Sequence, residues 1–138
     1  IVQALPLTGA IIVSTPQNIA LADARKAIGM FKLDNINVPV LGIVENMSWF
    51  TPAELPENKY YIFGKDGGKG LAEQLGIAFL GQIPLVQSLR ESADVGRPAV
   101  LQNNTIVAAC FEELCYNTEE AVGLRNKTLP KTEVVQVK

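Results

Sequence analysis

The chain has 138 residues, of which 48% are hydrophobic and 19% charged, a balance that suits one globular domain or a large piece of one. Its net charge of -2 and its scattered Lys and Arg residues disfavour binding to nucleic acid or to an anionic membrane. The chain has no histidine, so it cannot by itself build a Ser–His–Asp or Cys–His mechanism or a histidine-ligated metal site.

The start of the chain predicts a piece of a longer, cytoplasmic protein. The first residue is Ile1 rather than Met, and residues 1–5 look like the end of a helix that has no start signal. No signal peptide opens the chain, no apolar run reaches transmembrane length, and two cysteines are too few for a secreted disulfide scaffold.

The first half of the chain predicts a βαβ unit. Residues 9–14 and 38–44 are continuous apolar runs, typical of strands buried on both faces of a parallel sheet. Between them, Thr15, Pro16 and Gln17 form a turn, and Asn18 is the predicted N-cap of an amphipathic helix that runs to about residue 34. The two strands should therefore be parallel, with a right-handed crossover.

The second half predicts an irregular excursion followed by more α/β structure. Pro52 and Pro56 interrupt residues 49–64, where Tyr60–Phe63 is the predicted edge strand. The remaining predictions are a short helix around 71–75 ended by Gly76, a strand at 77–84, helices at about 86–95 and 105–122, and a polar tail at 128–138 that forms a loose strand or is disordered.

Three turns are predicted to meet at one edge of the sheet. They are Thr15-Pro16-Gln17, Glu45-Asn46-Met47-Ser48 and Ile83-Pro84-Leu85, and open α/β sheets bind ligands outside the carboxyl ends of their strands. Polar turns also follow strands in any α/β protein. Asn46 is the sharpest candidate, since a carboxamide can hydrogen-bond the edge of a purine. The alternative is a turn asparagine that bonds its own backbone.

Two other motifs favour structural roles. Residues 64–70, GKDGGKG, lack the first glycine and the hydroxyl residue of a Walker A loop, so a glycine turn is the better interpretation. Cys110 and Cys115 differ by roughly 140° around a helix, which prevents them from chelating one metal without unwinding it. We interpret Cys110 as core packing and Cys115 as partly exposed.

Aromatic residues bracket the excursion, namely Trp49 and Phe50 on one side and Tyr60, Tyr61 and Phe63 on the other. They could form a surface for a partner protein. They could equally form a small core beneath a long loop. The sequence does not separate these alternatives.

Several of these segments together resemble the Mrp/ApbC family. The similarity covers roughly residues 1–125 and lies in GAIIVSTPQ at 9–17, ADARK at 22–26, GIVENMS at 42–48, LGQIPL at 80–85 and RESADVGRP at 90–98. Residues 62–64, IFG, with Gly67 and Gly68 add to it. The family comprises MinD/ParA-like P-loop ATPases that typically form homodimers, bind ATP between subunits and pass on iron–sulfur clusters.

The resemblance implies an α/β fold: part of a three-layer P-loop NTPase domain with a mainly parallel sheet, whose N-terminal strands and P-loop are missing. Residues 1–127 would be the C-terminal part of that domain and 128–138 a tail. It implies that Asn46 hydrogen-bonds adenine, that Ile83, Pro84 and Leu85 line the base pocket, and that Gln17 lies near the nucleotide. Iron–sulfur assembly proteins or client apoproteins would be the partners.

The chain departs from the family pattern in two ways. The family's phosphate-binding loop and acidic Mg²⁺-orienting residues lie upstream of this stretch, so we expect that the chain alone does not hydrolyse ATP. Many members carry a Cys-x-x-Cys pair after the Asn-Met-Ser segment, where this chain reads WFTPAELPEN at 49–58. The usual iron–sulfur ligands are therefore absent, and we assign neither catalytic nor metal-binding residues.

Two other functions compete with this interpretation. The first is a MinD/ParA-type positioning ATPase, which would usually carry a basic amphipathic helix at its C-terminus. The second is a non-enzymatic module that binds a partner through the aromatic excursion. A nicotinamide reductase is less favoured, because no G-x-G-x-x-G motif follows a strand.

Overall fold

The computed structural model describes residues 4–52, 54–102 and 105–134. In this part of the chain strands and helices alternate. In chain order they are β1 (Ala10–Ser14), α1 (Asn18–Phe31), β2 (Val40–Phe50), α2 (Gly67–Leu75), β3 (Phe79–Leu85), α3 (Gln87–Asp94), a 3-10 turn (Ala99–Leu101) and α4 (Ile106–Thr128).

The three strands form one parallel sheet in the order β1-β2-β3. Ser14 pairs with Glu45 and Asn46 pairs with Ile83, so the carboxyl ends of the strands lie side by side. The predicted parallel α/β sheet is confirmed. Strand β2 continues past its predicted end at residue 44, because Phe50 resumes pairing with Leu85 after an irregular step at Met47, whose φ is 55°.

Helices cover both faces of the sheet and give three layers. On one face α1 and α2 pack on β1 and β2, around Ile28 at 2% exposure and Ile43 at 0%. On the other face α4 packs Phe111 and Leu114 against Leu80. Burial of these side chains contributes roughly 1.5–3 kcal/mol each. Both faces of β2 and β3 are therefore covered. On β1 only one face is, because Ile11 and Val13 are 39% and 62% exposed, so the prediction that this run is buried on both faces is wrong.

The predicted bounds of α1 and the predicted edge strand are wrong. The N-cap of α1 is Gln17 and not Asn18, and the helix ends at Phe31 because the amides of Ile36 and Asn37 turn back to the carbonyl of Leu33. The predicted edge strand at residues 60–63 is absent from the described chain, where a single antiparallel bridge joins Phe50 to Tyr60.

The C-terminal helix is longer than predicted. It continues from the expected end at residue 122 to Thr128, since Ala121 and Arg125 still face protein rather than solvent. Residues 129–134 follow without regular structure. The rest of the predicted tail, 135–138, lies outside the described residues.

Candidate functional site

Asn46 and Ile83 lie opposite each other on the neighbouring strands β2 and β3. Both line a cavity of about 700 Å³ on the α4 face of the sheet. Its other walls are mainly apolar and include Val13, Val44 and Phe111. The cavity therefore combines a mainly apolar lining with one carboxamide, the combination by which a small-molecule site binds and orients a ring.

The Asn46 side chain already makes one local hydrogen bond. Its Oδ1 accepts from the backbone N–H of Met47 at 2.9 Å, which is the turn geometry that sequence reasoning left open. Its amide group donates to no protein acceptor within the described ranges. Both donors, and one lone pair of Oδ1, can still meet a ligand.

The other predicted site residues lie at the same edge of the sheet but not around this cavity. Gln17 caps α1, and its Oε1 accepts a hydrogen bond from Thr15 at 2.7 Å. Pro84 is fully buried, and Leu85 pairs with Phe50. The structure therefore brings Asn46 and Ile83 together, whereas Gln17, Pro84 and Leu85 do not line the same space.

A buried carboxylate that sequence reasoning missed lies directly beside Asn46. Glu45 has 0% exposure, and its Oε1 accepts hydrogen bonds from Ser48 Oγ at 2.7 Å and Gln82 Nε2 at 2.9 Å. Its Oε2 accepts from the backbone N–H of Gly68 at 2.6 Å. A buried charge is tolerated only when it is hydrogen-bonded in this way. Its signal in the sequence was a lone acid directly after a buried apolar strand.

The Glu45 network ties together the segments around the site. It joins the middle of β2 to β3 through Gln82 and to the first turn of α2 through Gly68. Helix N-termini favour negative charge, because their backbone N–H groups are unpaired. Glu45 thus fixes the two strands whose next residues, Asn46 and Ile83, line the cavity.

Comparison with known proteins gives the family. Residues 1–118 match the model of the ParA family described as NUBPL iron-transfer P-loop NTPase. The chain belongs to the NUBPL iron-transfer P-loop NTPase family. The Mrp/ApbC resemblance is thereby confirmed, since proteins called iron–sulfur cluster carrier, such as that of Pyrococcus abyssi, are 45% identical over 114 residues.

Relatives of this NUBPL-family chain are considerably longer than the chain itself. The iron–sulfur cluster transfer protein NUBPL of Mus musculus is 50% identical over 98 residues, which are 71% of this chain and 30% of that protein. The mitochondrial iron–sulfur protein required for NADH dehydrogenase of Arabidopsis thaliana is 46% identical over 83% of this chain and 36% of its own length. The chain therefore spans about a third of these relatives.

Solved structures give the same fold for this NUBPL-family chain. A nucleotide-binding protein from Archaeoglobus fulgidus in complex with ADP has a TM-score of 0.56 and 39% identity, over 65% of this chain and 36% of that one. The cell division ATPase MinD of Pyrococcus furiosus has a TM-score of 0.60 at 21% identity, covering 82% and 43% of the two chains, which shows the fold alone.

The described part of this NUBPL-family chain offers no ready metal site. Residues 4–52, 54–102 and 105–134 contain no cluster of three or more potential ligands among His, Cys, Asp and Glu. Both cysteines are free: Cys110 is half-buried and packs in the α4 core, and Cys115 is exposed. Burial, reinforced by Glu113, raises the pKa of the Cys110 thiol, which disfavours the thiolate form that binds iron.

The aromatic excursion divides between the two predicted roles. Trp49 is 6% exposed, with Lys59 Nζ 4.1 Å from its ring centroid, so part of the excursion is a small core. Tyr60, Tyr61 and Ile62 are 45%, 38% and 60% exposed, so the other part of the excursion faces solvent.

Among the described residues, no helix combines the length and the hydrophobicity that a membrane span requires. Cytoplasmic location stays a prediction, because the Arabidopsis relative is called mitochondrial.

Proposed function

We propose that this chain supplies the base-binding half of an ATP site in an iron–sulfur cluster transfer protein. The observation that carries the proposal is the pairing of Asn46 with Ile83, which sets a carboxamide on the wall of an apolar cavity. A purine needs both features, since its faces are apolar and its edge carries hydrogen-bonding groups. The similarity to an ADP-bound protein supports a nucleotide as the ligand class.

The residues present fit an adenine base. The cavity of about 700 Å³ is large enough for a purine, and Val44, Ile83 and Phe111 supply apolar contact. In this proposal Asn46 bonds the base edge through its free amide group. Pro84 and Leu85 follow Ile83 on β3 without lining the cavity, so the proposal gives them and Gln17 no direct contact with the base.

The triphosphate would depend on residues outside this sequence. The 138 residues contain no Walker A motif, and phosphoryl transfer is mainly positioning and electrostatic stabilisation by that loop and its Mg²⁺. We therefore propose that the chain alone binds the base weakly and does not hydrolyse ATP. Phosphate release by the protein at saturating ATP measures this directly, and clear turnover would contradict it.

Nuclear magnetic resonance tests base binding directly at the side-chain amide of Asn46. Titration with adenosine should shift the side-chain amide signals of Asn46 and the backbone amide of Ile83, more than titration with guanosine does. Asn46→Ala should weaken adenosine binding about 3- to 10-fold, the value of one or two hydrogen bonds. The matched control is Asn58→Ala in the exposed excursion. Equal binding by Asn46→Ala and the unchanged protein would refute the assignment.

The iron–sulfur cluster is proposed as cargo of the whole protein, which we expect to act as a homodimer. The names of the relatives, cluster transfer and cluster carrier proteins, support this role. Because the described residues hold no ligand set, reconstitution of the chain with iron and sulfide should leave no stable visible chromophore. Assembly proteins or client apoproteins would be the partners.

A partner-binding module is a second candidate function, favoured by the exposed apolar side chains of the excursion. Leu55 and Ile62 are 48% and 60% exposed beside Tyr60 and Tyr61. Replacing Tyr60 and Ile62 with serine should abolish capture of a client apoprotein with or without nucleotide, if this surface binds it. A MinD-type positioning role is supported only by fold similarity at 21% identity.

A further inference from the structure

A second polar cavity, of about 640 Å³, lies at the amino-terminal edge of the sheet, away from Asn46. It lies between the α1–β2 connection and residues 129–134, and its wall includes Arg125, Asn35, Lys131 and Thr132. We propose that this cavity binds a small oxyanion of the phosphate or carboxylate type on Arg125. This cavity shares no lining residue with the one at Asn46, so anion binding here would be independent of nucleotide binding there.

Arg125 is a buried cation that lacks an acidic partner. It is 8% exposed, and it forms no ion pair within residues 4–52, 54–102 and 105–134. Its Nη1 donates to Asn126 Oδ1 at 3.3 Å and its Nη2 to Thr132 Oγ1 at 2.6 Å, and both acceptors are neutral. Arginine is almost never buried without a counter-charge, so the site favours an added anion.

The guanidinium of Arg125 also has unused donors. It carries five N–H groups, and its Nε is buried without a partner. The N–H groups of Nε and an adjacent Nη match the two oxygens of a carboxylate or phosphate in a bidentate contact. Thr132, in the segment 129–134 that lines the cavity, accepts from Nη2, which places the guanidinium in the wall of this cavity.

The negative charges near Arg125 neutralise the positive charge of its guanidinium only in part. Arg125 lies in the last turn of α4, whose carbonyls carry a partial charge of roughly half an electron. Asp34 and Glu133 line the same cavity without pairing to the guanidinium, while Lys131 adds a second cation. Glu133, in the adjacent segment 129–134, is therefore the carboxylate that would compete most strongly with an external anion for Arg125.

Titration with inorganic phosphate tests the site. At constant ionic strength, held with sodium chloride, phosphate should raise the midpoint of thermal unfolding in a saturable way and broaden its own phosphorus resonance. Arg125→Met should weaken binding at least about tenfold, the effect of losing a charge-assisted bidentate contact. Arg125→Lys, which keeps the positive charge but lacks the paired donors of the planar guanidinium, should bind phosphate with intermediate affinity. Lys127→Met, an exposed cation of the same turn, is the matched control.

Acetate in a parallel titration distinguishes a carboxylate from a phosphate, because the tighter binder identifies the ligand chemistry. Glu133→Gln should strengthen phosphate binding several-fold, since it removes a competing carboxylate. If Arg125→Met does not fold, Lys131→Gln serves instead and should weaken phosphate binding several-fold.

Two outcomes would overturn the proposal. Unchanged phosphate affinity in Arg125→Met, or in Lys131→Gln where that variant is used, excludes this cavity as the anion site. Absence of any saturable phosphate or acetate effect overturns it as well; if Glu133→Gln is then as destabilising as Arg125→Met, Glu133 is the internal partner of Arg125.

Discussion

Glu45 Oε2 accepts a hydrogen bond from the backbone N–H of Gly68 at 2.6 Å, which joins the middle of the central strand β2 to the first turn of α2. The second oxygen of the same carboxylate holds Ser48 and Gln82. Three separate segments thus converge on one buried charge. Because every partner is a donor, the network is complete only while Glu45 is an acceptor at both oxygens.

Replacing Glu45 with glutamine should lower the free energy of unfolding by about 2–3 kcal/mol. The substitution keeps the volume but replaces one carboxylate oxygen, an acceptor, with an amide NH2 group, a donor. A donor of the network then faces another donor, and that hydrogen bond is lost. Urea unfolding measures the change. Glu73→Gln, in the exposed part of α2, is the matched control and should stay within about 0.5 kcal/mol of the unchanged protein. Equal stability of the two variants would contradict a central role for Glu45.

The sheet could be predicted because its strands have few alternatives. The continuous apolar runs of β1 and β2 indicated two neighbouring parallel strands, although only β2 is buried on both faces, since Ile11 and Val13 of β1 are exposed. The boundaries were less predictable. The predicted strand at 60–63 has suitable residues, but Tyr60 meets Phe50 in a single bridge, since ladder formation depends on a neighbour and not on composition.

The candidate site was predictable only in its backbone position. The rule that ligands bind at the carboxyl ends of parallel strands brought Asn46 and Ile83 together. The apolar wall from α4, including Phe111, could not be foreseen, because helical spacing does not say which sheet face a helix covers. Glu45 was missed because its partners Gly68 and Gln82 are 23 and 37 residues away in sequence.

Two glycines of α2 should respond to alanine in opposite directions. A Cβ at Gly68 would lie 3.1 Å from Glu45 Cβ and 3.2 Å from its Oε2, whereas a Cβ at Gly70 meets nothing within 4 Å. Because Glu45 is fully buried and cannot yield, Gly68→Ala should destabilise by about 1–2 kcal/mol. Gly70→Ala should stabilise by up to about 1 kcal/mol through helix propensity. Thermal unfolding of both variants decides, and stabilisation by both would contradict the close contact at Gly68.

The two cysteines should differ in alkylation. Burial, followed by the charge of Glu113, raises the pKa of the Cys110 thiol, while Lys59 acts in the opposite direction. Since the thiolate is the nucleophile, a raised pKa leaves less of it at neutral pH. Iodoacetamide should therefore modify Cys115, which is exposed, before Cys110.

Mass spectrometry of the peptides follows both cysteine sites over pH. The Cys110 rate should rise by about tenfold per pH unit below its pKa, because the thiolate fraction does. Glu113→Gln should speed modification of Cys110, and Glu112→Gln, one residue away and also exposed, should change it less. Equal rates at Cys110 and Cys115 at neutral pH would show that burial does not protect Cys110.

Trp49 should tolerate phenylalanine far better than alanine. Its ring is 6% exposed, so Trp49→Ala should cost about 3–5 kcal/mol through lost packing. Its Nε1 is buried without a hydrogen-bond partner, and removing that donor recovers part of the desolvation cost, so Trp49→Phe should cost less than about 1 kcal/mol. Lys59→Met, which removes the cation 4.1 Å from the ring centroid, measures the cation–π share, about 0.5–1 kcal/mol. Urea unfolding of all three tests this order, and a Trp49→Phe variant as unstable as Trp49→Ala would mean that the Nε1 donor is satisfied in solution.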